Sequence, residues 1–157
     1  MATAPFEFNI AKGKSNWYGG LTGGANDALI LVLLQTTGLE SDATLQDYDT
    51  LSALLAAAND ECTFTGYARR TLASVAVAVN DTSNTQNTDA ADPAAWTNTG
   101  GSAQGCGAAI VCYDPDTTGG TDADLVPLYN LLTGTVTFDV GVPVTPAFHA
   151  NGLYVAS

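Results

Sequence analysis

Asn26-Asp-Ala-Leu-Ile-Leu-Val-Leu-Leu34 is the most apolar run in the chain, and the way it folds decides how the rest can be arranged. It reads as a short buried helix. Asn26 can cap the first turn, Asp27 sits where the helix dipole favours negative charge, and Gly38 can take a positive φ just past the end. Leu29 to Leu34 leave no polar face, so such a helix must be covered on most sides by the chain's own sheet or by a neighbouring subunit. A strand is the rival reading, because Ile and Val favour it and the run is too short for its period to separate the two.

Downstream, Asp49 or Thr50 can cap a second helix ending near Asn59, with Leu51, Leu54 and Leu55 forming its apolar face. The two helices would make a helical hairpin. From Glu61 the pattern changes to period two. Cys62 and Phe64 alternate with polar residues, Val75, Val77 and Val79 alternate with alanines, and Ala108 to Tyr113 is the clearest strand. The turn-rich segment Asp114 to Asp124 joins that strand to Leu125–Leu128 as a hairpin. Val136, Phe138 and Val140 alternate inward, Val142 and Val144 interleave with Pro143 and Thr145 as an edge, and Leu153 to Val155 closes the chain as a strand or docking tail. Asn80 to Asn87 reads as an exposed loop, Trp96 as an anchor, and Gly100 to Gly107 as a small-residue connector. The predicted fold is α+β, a short N-terminal helical hairpin packed on a mainly antiparallel β-sheet or sandwich.

Upstream, residues 5–11 alternate, with Phe6, Phe8 and Ile10 on one side, as a half-buried strand or an arm laid on another subunit. Lys12 to Gly24 is a glycine-rich loop with Trp17 and Tyr18 as aromatic anchors. No Gly-Lys-Ser/Thr closes it, and it follows no clear parallel strand, so phosphate binding is not favoured. Residues 1–25 are therefore set apart as an arm, and residues 26–157 as a single α+β domain. A chain of 157 residues can bury a real core without metals or disulfides.

Charge narrows the partners. The chain has 16 acidic and 4 basic residues, a formal net charge of −12, and all four cations (Lys12, Lys14, Arg69, Arg70) precede residue 71. Such a field repels phosphate backbones and anionic lipid, so neither nucleic acid nor membrane is an expected partner. No secretory leader or bilayer span is expected either. The interface residues singled out are Phe6, Phe8, Ile10, Lys12, Lys14, Trp17 and Tyr18, which combine apolar anchors with cations suited to an acidic partner.

Chemistry-bearing residues are sparse. The single histidine, His149, has no nucleophile signature to pair with. Asp47 with Asp49, and Asp122 with Asp124, could flank a glycosidic bond, but a helix cap and turn residues explain them better. Asp114, Asp116, Asp122 and Asp124, with Gly119 at the sixth position, suggest a calcium loop. Position twelve is Leu125 and the flanks are strands, so a solvated hairpin turn is preferred and no metal or cofactor is expected. Cys62, Cys106 and Cys112 make an odd count. On a regular strand Cys106 and Cys112 would share a face roughly 20 Å apart, beyond disulfide reach, leaving at most one bond to Cys62.

Asn26 to Leu34, followed by Gly-Leu-Glu-Ser-Asp-Ala-Thr-Leu-Gln-Asp-Tyr-Asp-Thr-Leu (38–51), Phe-Thr-Gly-Tyr-Ala-Arg-Arg-Thr-Leu (64–72) and Val-Cys-Tyr-Asp-Pro-Asp-Thr-Thr-Gly-Gly-Thr-Asp-Ala-Asp (111–124), resembles a family of small virion structural proteins of tailed bacteriophages. The resemblance runs from about Phe6 to Leu128. It implies a non-enzymatic particle component made in the bacterial cytoplasm, a capsid decoration protein on the outer surface of the head. Its implied partners are the major capsid protein or other virion proteins, together with self-association on the particle. The alternative is an adhesion module in which Trp17, Trp96 and Tyr113 present a surface to host glycan or receptor.

Overall fold

The computed structural model describes residues 5–83, 85–132, 134–148 and 153–156. It is a mixed α+β fold in which an antiparallel sheet dominates and the helices are short.

The Asn26 run corrects the predicted helix. Ala28–Gln35 is strand β2, flanked in the main sheet by β7 (Gln104–Asp114) on one edge and β3 (Arg70–Thr71) on the other. Its missing polar face has a different cause from the one a helix would give. Leu29, Leu31 and Leu33 project into one core, Val32 and Leu34 into another, and a strand buried on both faces has no reason to alternate. Asn26 and Asp27 close turns instead of capping. The Asn26 carbonyl accepts from Thr117 N–H, and the Asp27 carboxylate accepts from Gly23 and Gly24 N–H. With no first helix, the predicted N-terminal helical hairpin does not form.

The main sheet runs β1 (Phe6–Glu7), β8 (Val126–Asn130), β7, β2, β3, with β9 (Val136–Phe138) also pairing to β7. The hairpin predicted around Asp114–Asp124 is present, with Tyr113 opposite Val126. On one face lie α2 (Asp42–Leu45) and α3 (Leu51–Ala56). The Ser41 and Thr50 side chains cap them, and Leu45, Leu51 and Leu54 are buried against Val32, Leu34, Ile110 and Phe8. The second helix thus starts where Thr50 places it.

Opposite the helices lie two smaller sheets. One orders β11 (Tyr154–Ala156), β5 (Thr85–Asp89) and β4 (Ala76–Asn80); the other pairs β6 (Trp96–Thr97) with β10 (Pro143–Val144). The loop expected from Asn80 to Asn87 is largely a β4–β5 hairpin, and the Gly100–Gly107 connector already contains the start of β7. Helix α1 (Ser15–Gly19) lies within the segment predicted as loop. It packs on β5 at Gly19, where an added Cβ would come within 2.6 Å of the Thr88 hydroxyl oxygen.

Candidate functional site

The predicted arm is built into the domain. Phe6 and Glu7 pair with Asn130 and Tyr129, and Phe8 N–H donates to the Leu128 carbonyl at 2.9 Å. Phe8 is fully buried, with Phe6 and Ile10 packed half-buried around it, so all three face one core as their alternation suggests. Tyr18 is buried in the other core. The part of the predicted interface left at the surface is Lys12, Lys14 and Trp17.

Trp17 is 52% exposed, yet it is held. Its ring lies 5.1 Å from Tyr18 and 5.8 Å from Tyr113, and those two rings are 5.0 Å apart. The Tyr113 hydroxyl donates to Asp27 at 3.1 Å, fixing the ring beneath Trp17, and burial with that carboxylate pushes the Tyr113 phenol up to about 12. Gly13, Lys14, Trp17 and Tyr18 line a shallow open depression there. The sequence groups Tyr113 with Trp17 as aromatics of a binding surface without bringing the two rings together. The pairing of Tyr113 with Leu29 across β2 brings it under a side chain nearly a hundred positions earlier, which sequence spacing does not reveal.

The cations divide in two. Arg69 is spent inside the fold, reaching Glu61 at 2.7 Å and Asp122 at 2.5 Å. These carboxylates raise the Arg69 guanidinium, and in return Arg69 holds Asp122 below the usual carboxylate range. Arg70 stacks 5.3 Å from the centroid of Trp96, which is itself buried. Lys12 donates to neutral Asn9 Oδ1, and neither Lys12 nor Lys14 joins an ion pair among the described residues.

The four aspartates do not converge. Asp114 accepts from Asp116 N–H, Asp116 from the N–H and hydroxyl of Thr118, Asp124 from those of Thr121, and Asp122 from Arg69. The Thr118 bonds hold the Asp116 carboxyl low. Asp47 accepts from Asn9 Nδ2, and Thr50 supplies the cap. Among the described residues, no cluster of three His, Cys, Asp or Glu could hold a metal ion. No described helix is long and apolar enough to cross a membrane. His149 lies outside the described residues.

Two other concavities flank the sheet. An apolar one of about 260 Å³ is lined by Leu33, Trp96, Leu131, Phe138, Val144 and Phe148. A polar, open one of about 400 Å³ is lined largely by Thr36, Thr37, Thr63, Thr65 and the 100–105 segment. Comparison with protein-family models, curated proteins and solved structures gives no match.

Proposed function

We propose that the protein is a non-enzymatic structural component of a tailed-bacteriophage virion, a decoration protein that binds the outside of the head shell. The observation that carries the docking part of this reading is the Trp17 patch. An exposed tryptophan seated on buried tyrosines loses little side-chain freedom on binding, and large anchored aromatics dominate protein interfaces. Lys14 lines the same depression and Lys12 lies two residues before it, neither in an ion pair among the described residues, in a chain of net charge −12. That combination suits an acidic patch on the major capsid protein or another virion protein. The remaining surface, poor in cations, keeps densely arrayed copies from adhering nonspecifically. Many equivalent weak contacts on a lattice give avidity without a large single interface.

The resemblance of residues 6–128 to small virion proteins supports the particle assignment, and synthesis in the host cytoplasm accords with three free, buried thiols. Reconstruction of the intact particle tests it. Density for this fold at repeated positions on the outer head is expected, and its absence from the particle would reject the assignment.

One observation favours an adhesion module as the second reading. The exposed ring of Trp17 beside Lys14 is a stacking shelf for a sugar, although Trp96 and Tyr113 are buried and cannot extend it. Glycan-array binding that disappears in Trp17→Ala would favour adhesion over decoration.

A further inference from the structure

We propose that β4 is a self-association edge, and that two copies of this chain pair antiparallel through it about a twofold axis at Val77. β4 ends the order β11-β5-β4, so one side of its backbone pairs with β5 and the other meets no strand among the described residues. Exposed strand edges are normally guarded by lysine, proline, a bulge or an inward charge. Here the sequence from Val75 to Val79 is Val-Ala-Val-Ala-Val, with none of these, and the register with β5 runs unbroken through all five residue pairs. Val79 is 69% exposed, Ala76 and Ala78 are exposed, and Val75 and Val77 are half-buried.

Charge selects a second copy as the occupant. Between Arg70 and Asp81 there is no charged residue, so pairing this edge with its own copy sets no like charges side by side along the strand. With Val77 on the axis, Val75 lies opposite Val79 of the second copy and Ala76 opposite Ala78, while Asp81 sits in the turn beyond the strand. No carboxylate then faces another across the seam, although each copy carries −12. The pairing is self-complementary, as a twofold interface requires, and it would join the two three-stranded sheets into one. Main-chain hydrogen bonds across the seam and a shared row of valines supply the attraction.

Light scattering on the purified full chain over a concentration series tests this directly. The wild type should reach twice the 16.0 kDa chain mass. Val79→Lys and Ala78→Lys, checked for folding by circular dichroism and melting, should remain monomeric, while Val79→Thr should still dimerise. Hydrogen exchange on the wild type gives a readout free of mutation, in which protection of the residue 75–79 amides should fall on dilution. A wild type that stays monomeric at every concentration, or a folded Val79→Lys that dimerises as tightly as wild type, would overturn the proposal.

Discussion

Cys106 and Cys112 lie six residues apart on one strand and face opposite cores. A regular strand would put them on the same face. The register explains the reversal. Leu34 pairs with Ala108 but Gln35 with Cys106, so Gly107 is an extra residue, and such a bulge inverts the side-chain alternation beyond it. Cys106 shares its core with Cys62, yet they stand on opposite sides of β2: Cys62 N–H donates to the Leu33 carbonyl on one edge, and Cys106 pairs with Gln35 on the other. Their side chains nevertheless meet within hydrogen-bond reach in that core, and both thiols are free. The Cys106 thiol and burial both push the Cys62 thiol up, and burial pushes Cys112 up. Because all three thiols are free and buried, they should resist a thiol reagent near pH 8 in the native protein and react together in denaturant without reductant. A missing pair in denaturant would mean that the neighbouring Cys62 and Cys106 thiols had oxidised to a disulfide.

Leu31 and Leu34, three residues apart, sit in different cores, whereas a helix would stack them on one face. Leu31→Ala and Leu34→Ala should each cost about 2–5 kcal/mol in urea unfolding. Because the two cavities open on opposite sides of the sheet, the double variant should be additive within about 0.5 kcal/mol. A coupling well above that would contradict separate cores.

These two relationships also mark what the sequence could tell. Where one face of an element is solvated, the pattern was readable: Leu51, Leu54 and Leu55 behind Thr50 formed the expected helix, and the Asp114–Asp124 turn joined the expected strands. The expectation failed at β2 because burial on both faces erases alternation, and the helix and strand signals then coincide. Polar strands were missed for the converse reason. Thr85–Asp89 contains no apolar residue, and it is a strand because β4 and β11 pair on its two sides. Of the candidate site, Lys12, Lys14, Trp17 and Tyr18 are legible in the sequence as interface residues and Tyr113 as a surface aromatic, but the packing of Tyr113 against Trp17 comes from a sheet register that local sequence does not encode.

Arg69 bridges Glu61 and Asp122, which are 53 residues apart in the case of Arg69 and Asp122, and it ties the segment before β3 to the β7–β8 turn. Asp122 has a folded-state pKa below its unfolded value, chiefly through the Arg69 hydrogen bonds. Its contribution is fully present above the unfolded value, near 3.9, and is lost as pH falls through the lower folded value. Wild-type stability should thus decline below about pH 4, and part of that decline should be absent in Asp122→Asn. Since the three side chains are 21–38% exposed, Arg69→Met should cost about 1–2 kcal/mol at pH 7, between exposed and buried pairs. Equal acid sensitivity in wild type and Asp122→Asn would remove Asp122 from the account.

Trp17 and Phe8 separate docking from folding. Removing residues 1–18 whole would delete β1 and the fully buried Phe8, so loss of particle binding by that truncation would say little about an interface. Phe8→Ala should cost about 3–5 kcal/mol in unfolding because it empties a core site. Trp17, half exposed and packed against the rings of Tyr18 and Tyr113, should behave differently. Trp17→Ala should cost about 1 kcal/mol or less in stability, in the range of a single aromatic contact. If the patch is the docking surface, the same variant, and Lys12→Glu with Lys14→Glu, should lose occupancy on particles lacking the native protein while melting near wild type. The lysine variant should lose more at low salt than at high, because reversing two charges opposite an acidic partner is a screened effect. Full occupancy by folded Trp17→Ala would place the contact elsewhere on the surface.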